Sequence, residues 1–380
     1  MQEFNQYQTP CHVYDLNLLR QTLNVVQTES KKYNFKVHYA LKANTNEKVL
    51  AIISSFGLGA DCVSGNEVKT AILNGFAADE VVFAGVGKSD EEIRESLEVN
   101  IFCFNCESYE ELEVINEIAG ELQTTARVAL RLNPNVDPET HEYISTGLSF
   151  NKFGFSQAEL ERFFENRTQF SSLEVIGVHF HIGSQIRTDQ PFINLCKAVN
   201  FYLGLFEENG IHVQNINLGG GLGINYEEPD REPIPDFANY FQIIHENLSY
   251  SEDQQVHFEL GRSIVGQCGN LLTRILYRKE NGDRNFLIVD AGMNNLLRPA
   301  LYNSYHKIER LSTGRNGLRQ KYDVVGPICE SSDCFGKGIE LEDSKRGDLL
   351  SIRSSGAYGQ SMELNYNLRD RAKVYYLGDT

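Results

Sequence analysis

The chain has 380 residues, of which 41% are hydrophobic and 23% are charged. This composition is typical of a globular protein with a large core, and it excludes a disordered chain, a collagen-like chain and a small disulfide-stapled scaffold. The 35 basic and 52 acidic residues give a net charge of −17, which disfavours nucleic-acid phosphates and anionic membrane surfaces as partners.

The N-terminus and the cysteines predict where the protein resides. Residues 1–8 lack the basic and apolar regions of a signal peptide. No apolar run approaches the roughly 18 residues that a membrane-spanning helix needs. The eight cysteines are spread along the chain, a distribution typical of reduced thiols in a large protein. We therefore expect a cytoplasmic protein with no membrane partner.

Short apolar runs alternate with helical segments through the first two thirds of the chain. Segments 49–56 and 192–206 carry apolar residues at the i, i+3, i+4, i+7 spacing of a helix. The strand-like runs are 36–41, 57–63, 81–85, 101–105, 126–132, 175–182, 215–222 and 257–260. Eight such repeats over about 225 residues predict a (β/α)8 TIM barrel, because this fold typically takes about 250 residues. A doubly wound sheet is the alternative.

Serine and glutamate residues predict where four of the helices begin. Ser64, Ser89, Ser108 and Ser156 are each followed by a glutamate three residues later. In this capping box, the two side chains satisfy backbone N–H groups at the start of a helix. We expect a helix to begin at each of these serines.

After about residue 265 the pattern changes to strands separated by turns. The strand-like runs are 271–277, 286–290, 322–325, 348–353 and 373–377. Asn281, Gly282 and Asp283 predict a hairpin between the first two runs. We therefore expect a barrel domain over 26–265 and a C-terminal β-rich domain, barrel-like or sandwich-like, over 266–380.

The active site of such a barrel lies where the strands end. The polar residues there are Lys42, Asp61, Arg131, His179, His181, Glu259 and Arg262. A lysine desolvated at a strand end is a candidate Schiff-base nucleophile, or it simply extends to solvent at the rim. The run Gly219–Gly221 could cradle an anion or form a tight turn, and its spacing is not that of a dinucleotide-binding motif.

Histidine and cysteine pairs suggest other kinds of site. His179 and His181, with His38 or His257 as a third ligand, could bind a metal. Cys103 and Cys106 form a C-x-x-C that could be a zinc or redox pair, or two buried thiols. Cys329 lies in a polar loop after a strand, where a thiol is a candidate acid or nucleophile.

Taken together, the motifs resemble one known family. In chain order they are 39–44 (YALKAN), 179–186 (HFHIGSQI), 219–223 (GGGLG), 259–262 (ELGR), 298–302 (RPALY), 329–333 (CESSD) and 356–358 (GAY). From Thr9 to about Asn367 the chain resembles the pyridoxal-phosphate-dependent diaminopimelate decarboxylases, in the group that includes ornithine and arginine decarboxylases.

The resemblance implies a barrel that binds pyridoxal 5'-phosphate and a β-domain to which residues 1–25 also contribute. It implies a homodimer whose active sites are shared between the subunits. Lys42 would bind the cofactor covalently and His181 would stack on its ring. The residues that would line the phosphate and the ring are Ser184, Gly221, Glu259, Leu260, Gly261, Arg262 and Tyr358.

The implied reaction converts meso-2,6-diaminopimelate to L-lysine and CO2, the last step of lysine biosynthesis. Glu259 would keep the ring nitrogen protonated, and a protonated ring is the stronger electron sink when CO2 departs. Cys329 would protonate the α-carbon. The residues that would bind this small amino-acid substrate are Arg262, Arg298, Tyr302, Glu330 and Tyr358. Arg298 favours diaminopimelate over ornithine, which has no distal carboxylate for a guanidinium to bind.

Three alternatives stay open. The first is a decarboxylase for ornithine, arginine or a carboxylated polyamine. The second is an inactive family member that binds the cofactor or a regulatory partner. The third is a metal-dependent barrel hydrolase built on His179 and His181. The chain also departs from the family pattern in two places: Leu260 stands where a proline is usual, and the tail after Asn367 is divergent.

Overall fold

The computed structural model describes residues 4, 6–137, 152–311 and 318–378. The chain divides into two compact units. The barrel unit comprises Leu23–Gly223 and Asp236–Gly261, and the β unit comprises Met1–Thr22, Ile224–Pro235 and Arg262–Thr380. The β unit therefore draws on three separate stretches of sequence, whereas we expected a barrel that is continuous over 26–265.

The chain begins with strand β1 (Cys11–Asp15) in the β unit. Helix α1 (Leu16–Lys31) follows directly, and its residues from Leu23 onward belong to the barrel unit. Asp15 begins this helix, because its Oδ1 accepts the N–H groups of Asn17 and Leu18, each at 3.0 Å.

The barrel unit contains a closed barrel of eight parallel strands, as the sequence predicts. In chain order these are β2 (Lys36–Ala40), β3 (Gly59–Cys62), β4 (Val81–Phe83), β5 (Cys103–Cys106), β6 (Ala126–Arg131), β7 (Leu173–His179), β8 (Asn215–Asn217) and β9 (Gln255–Leu260). The register pairs Ala40 with Asp61 and His38 with Glu259. Polar residues at the ends of separate strands are thereby brought to one end of the barrel.

Helices follow the strands and cover the barrel. They are α2 (Glu47–Ser55), α3 (Gly65–Leu73), α4 (Asp90–Glu98), α5 (Tyr109–Glu121), α6 (Gln157–Asn166), α7 (Gln190–Glu208) and α8 (Phe237–Asn247). Phe258 of β9 packs against Phe241 and Tyr240 of α8, with ring centroids 5.0 and 5.5 Å apart. Such contacts bury the apolar stripe of each helix against the strands.

The four predicted helix starts are confirmed. Ser89 and Ser156 form reciprocal capping boxes with Glu92 and Glu159. Ser64 and Ser108 also cap their helices. In these two cases the glutamate carboxylate instead accepts the N–H of the residue before the serine, from Val63 at 2.7 Å and from Glu107 at 2.6 Å.

The β unit is built around one eight-stranded sheet. Its further strands are β10 (Gly269–Asn281), β11 (Arg284–Val289), β12 (Ile308–Arg310), β13 (Arg319–Val325), β14 (Cys334–Glu342), β15 (Leu349–Ile352) and β16 (Lys373–Leu377). The main path runs β12-β15-β10-β11-β13-β14. The hairpin predicted at Gly282 is confirmed, because Asn281 pairs with Arg284. The described part of the unit also contains two short α-helices, α9 (Arg262–Val265) and α10 (Arg298–Tyr302).

Both ends of the chain join this sheet. Strand β1 pairs antiparallel with β10 and parallel with β16. The divergent tail after Asn367 therefore supplies a strand that lies beside the first strand of the chain. Among the helices that the structure describes, none is long and apolar enough to cross a membrane.

Candidate active site

Lys42 lies at the predicted place, in a short turn of 3-10 helix directly after β2. Its Nζ is 2.8 Å from Oδ2 of Asp61 at the end of β3. Burial of the Asp61 carboxyl and the nearby charge of Glu259 raise its pKa, although Lys42 acts in the opposite direction. The amine of Lys42 is therefore held at the carboxyl end of the barrel by a buried acid.

Glu259 on β9 is a buried carboxylate surrounded by hydrogen-bond donors. Its Oε1 accepts from the side-chain amides of Asn105 at 3.0 Å and Asn217 at 2.7 Å. Its Oε2 accepts from Nε2 of His179 at 3.1 Å. Burial alone would raise the pKa of Glu259, but His179 and Lys42 outweigh it and hold this pKa well below its ordinary value. The carboxyl is ionised at neutral pH.

Asn105 and Asn217 were not singled out by the sequence analysis. They lie on β5 and β8, within predicted strands but far from Glu259 in sequence. The signal that could have found them is an asparagine at an otherwise apolar strand end, because a buried amide needs hydrogen-bond partners. Asn217 also accepts the N–H of Gly219 at 2.9 Å, so it links the carboxylate to the glycine run.

The backbone of Gly219–Gly221 lies so close to neighbouring segments of the barrel that it leaves no room for side chains. Gly219 and Gly221 have φ of +66° and +119°. A Cβ on Gly220 would lie 2.0 Å from the carbonyl oxygen of Glu259. A Cβ on Gly221 would lie 3.0 Å from the carbonyl oxygen of Gly183, next to Ser184. Glycine is therefore required here, because the backbone of the run lies close to neighbouring carbonyl groups.

His181 follows β7 and accepts the N–H of Gly220 on its Nδ1 at 3.3 Å. Burial, followed by the charges of Arg131 and Lys42, lowers the pKa of His181 well below its ordinary value. Its ring is therefore neutral at physiological pH. Arg131, the other strand-end cation, forms a buried ion pair with Glu107 at 2.5 Å.

The other candidate histidines contact each other or Glu259, and the cysteines of the C-x-x-C are buried. Nε2 of His38 lies 2.9 Å from Nδ1 of His257, whereas His179 bonds to Glu259. No group of three or more metal-ligating side chains occurs among the described residues. Cys103 and Cys106 are buried and do not form a disulfide bond. Burial raises the pKa of both thiols.

The β unit holds a second group of predicted residues around two buried arginines. Arg262 begins α9 and Arg298 begins α10. The guanidinium carbon of Arg262 lies 4.9 Å from the centre of the Tyr358 ring. Tyr302 is half-buried at the end of α10, near enough to help raise the pKa of Arg262. Tyr226, which the sequence analysis did not select, bonds to both arginines.

Leu260 ends β9 and Gly261 follows it, whereas two further candidates lie in an exposed turn of the β unit. Cys329 is exposed, and its N–H donates to Oδ1 of Asn367 at 3.0 Å. Glu330 accepts a hydrogen bond from the hydroxyl of Tyr366 at 2.6 Å. The buried carboxylate of Asp333 shapes this turn by accepting the N–H of Ile328 at 2.7 Å. Hydrogen bonds to Asn367 and Tyr366 thus hold both candidates at the surface of the unit.

The sequence matches a family model described as the pyridoxal binding domain of pyridoxal-dependent decarboxylases over residues 17–266. A diaminopimelate decarboxylase from Bacteroides thetaiotaomicron is 50% identical over 374 residues, which cover 98% of this chain and 96% of that protein. A diaminopimelate decarboxylase from Aquifex aeolicus is 40% identical over 366 residues, covering 96% and 85%.

Solved structures show the same relationship. The diaminopimelate decarboxylase from Helicobacter pylori complexed with L-lysine superposes with a TM-score of 0.93 at 39% identity, covering 100% of this chain and 94% of that one. A lysine/ornithine decarboxylase from Vibrio vulnificus complexed with cadaverine shares the fold, with a TM-score of 0.85 at 22% identity and coverage of 100% and 97%. The chain belongs to the pyridoxal-dependent decarboxylases, in the diaminopimelate decarboxylase family.

Proposed function

We propose that this protein decarboxylates meso-2,6-diaminopimelate to L-lysine and CO2 with pyridoxal 5'-phosphate as cofactor. Relatives at 40–50% identity over nearly the full chain carry the name of this activity. The single observation that carries the proposal is the buried, ionised Glu259, held by Asn105, Asn217 and His179. A carboxylate of this kind is the partner that a protonated pyridine nitrogen needs.

The residues of the barrel unit fit the cofactor. It requires an amine for its aldehyde, a neutral flat group for its ring and a donor-rich concave surface for its phosphate. Lys42 and His181 meet the first two needs, and we assign the phosphate to Ser184 and the backbone of Gly221, because Asn217 and His181 already accept the N–H groups of Gly219 and Gly220. The donor set around Glu259 supports the fit most directly, since it keeps a buried carboxylate ionised. Backbone N–H groups in glycine-rich turns are common phosphate ligands.

The proposed chemistry divides among four side chains. When bound, the cofactor supplies the electron sink that accepts the electron pair released with CO2. We assign to Glu259 the task of holding the proton on the ring nitrogen. Lys42 binds the cofactor and releases the product, and His181 orients the ring. Cys329 supplies the proton that replaces CO2 on the α-carbon, a role that its exposure supports.

We assign recognition of the distal end of the substrate to the β unit. Diaminopimelate carries a carboxylate and an amine there, so the site needs cations and an acid. Arg262, Arg298 and Tyr302 are proposed to bind the carboxylate, with Tyr358 alongside, and Glu330 is proposed to bind the amine. Burial of two guanidiniums is costly unless an anionic ligand uses them, which favours this substrate over ornithine. The homodimer with shared active sites and the cytoplasmic location remain predictions.

Two measurements test the proposal. Purified protein loaded with pyridoxal 5'-phosphate should release CO2 from meso-diaminopimelate and not from ornithine. Borohydride reduction followed by peptide mapping should place the cofactor on Lys42, and Lys42→Ala should abolish the label. Absence of CO2 release with the cofactor demonstrably bound would refute the activity. Activity that chelators remove and borohydride leaves intact would favour the metal-dependent hydrolase instead.

A further inference from the structure

Tyr226 links the two buried arginines of the β unit. Its hydroxyl oxygen accepts from Nη1 of Arg262 at 2.6 Å and from Nη1 of Arg298 at 2.8 Å. The tyrosine and both arginines are at most 8% exposed. Two guanidiniums brought this close repel each other, and the shared oxygen is the acceptor that lies between them. Tyr226 therefore sets the spacing of the pair.

The electrostatic surroundings of Tyr226 match this position. Burial would raise the pKa of its hydroxyl, but the charges of Arg262 and Arg298 outweigh burial and hold this pKa below its ordinary value. Both lone pairs of the oxygen are used by the arginines. The partial negative charge of this hydroxyl oxygen therefore offsets part of the repulsion between the two cations.

His306 fixes the orientation of Arg298. Its Nδ1 lies 2.9 Å from the carbonyl oxygen of Arg353, so this nitrogen must carry the proton. Nε2 is then the acceptor, and it receives a hydrogen bond from Nη1 of Arg298 at 3.0 Å. Burial, followed by the charge of Arg298, lowers the pKa of His306 to about 3, which keeps the ring neutral. The His306 ring also packs edge-on against Tyr226, with centroids 4.9 Å apart.

Counting the donors of Arg298 shows which of its edges is available to a ligand. A guanidinium has five N–H groups, two of them on Nη1. Both Nη1 donors are used, one by Tyr226 and one by His306. The donors on Nε and Nη2 have no hydrogen-bond partner among the residues that the structure describes. These two nitrogens form the side edge of the guanidinium, which binds a carboxylate through two parallel hydrogen bonds.

We propose that Tyr226 and His306 are positioning residues that present the Nε–Nη2 edge of Arg298 to the distal carboxylate of the substrate. They thereby make the enzyme select ligands with this carboxylate over plain diamines. The inference rests on the proposed function, and it adds two residues, neither of which needs to contact the substrate. It follows from the occupied Nη1 donors and from the shared hydroxyl of Tyr226.

The test compares two ligands that differ only in the carboxylate. L-lysine retains it, and pentane-1,5-diamine is the same molecule without it. Affinities of the holoenzyme for both are measured from the visible absorbance of the bound cofactor. In Tyr226→Phe, we expect lysine to bind about tenfold more weakly, or about 1.4 kcal/mol, while the affinity for the diamine stays within about twofold. His306→Phe, which removes the acceptor and keeps a ring, should act in the same direction.

The matched control is Tyr14→Phe. Tyr14 is also a buried tyrosine of the β unit, and its hydroxyl donates to Gln360 Oε1 at 3.1 Å. This variant should leave the lysine-to-diamine ratio unchanged. If Tyr226→Phe weakens the binding of both ligands equally, or weakens neither, the positioning role of Tyr226 is overturned. Wild-type protein that releases no CO2 from diaminopimelate would instead refute the proposed function, so the two failures are distinguishable.

Discussion

Replacing Gly220 by alanine should remove most of the activity through a purely steric effect. The added Cβ would lie 2.0 Å from the carbonyl oxygen of Glu259, whereas ordinary contacts begin at 3.4 Å. The glycine run and the end of β9 must therefore separate by about 1.4 Å. The φ of Gly220 is outside the left-handed region, so alanine adds no backbone strain. Misplacement of catalytic groups by about 1 Å can cost about 100-fold in rate.

The assay measures kcat/KM for diaminopimelate, cofactor affinity and thermal unfolding of Gly220→Ala. We expect kcat/KM to fall about 100-fold and cofactor affinity to fall with it. The control is Gly204→Ala in helix α7, where a Cβ meets nothing within 4 Å. Alanine there should stabilise the protein by about 0.5–1 kcal/mol and leave activity unchanged. Wild-type activity and cofactor affinity in Gly220→Ala would refute the assignment of the glycine run to the cofactor.

Two further predictions concern the site, and a third concerns Glu67, whose carboxylate accepts the N–H of Val63 at the start of α3. Glu259→Gln removes the charge that holds the ring nitrogen protonated, so kcat should fall about 100- to 1000-fold; a variant within threefold of wild type contradicts the role. Cys329→Ala should lower kcat by at least about 100-fold while the cofactor spectrum persists, with Cys334→Ala as the control. Burial raises the pKa of Glu67 from 4.5 to about 7, so the stability it contributes is present below pH 4.5 and lost as pH rises through about 7. The free energy of unfolding of Glu67→Gln, relative to that of the wild type, should therefore be higher at pH 8 than at pH 4. If this difference is the same at both pH values, the pKa assignment is wrong.

The barrel could be predicted because its signals are local. Each parallel strand is buried on both faces and appears as a short apolar run, and serines such as Ser89 and Ser156 mark helix starts within four residues. Strands β1, β12 and β14 were not predicted. Strand β12 has only three residues, and β14 contains two glycines and two exposed side chains, so neither β12 nor β14 shows a clear apolar alternation.

The partners of the site residues could not be predicted in the same way. Asn105 bonds to Glu259 across 154 residues of sequence, and Tyr226 bonds to Arg298 across 72 residues. No periodicity connects such positions, because the contacts arise from the closure of the barrel and from the discontinuous β unit. Sequence motifs located Lys42 and Glu259, but the donors that keep Glu259 ionised became visible only in three dimensions.

The pairing of the first strand with the last has a consequence for synthesis on the ribosome. Strand β1 emerges first, yet its neighbours are β10 and β16, and Cys11 pairs with Lys373. All segments of the barrel unit have been synthesised by Gly261, before any of these neighbours exists. One edge of β1 therefore stays unpaired until β10 is synthesised, and the other edge stays unpaired until β16 follows. Chaperones that shield exposed strand edges should matter most for this nascent chain during that interval.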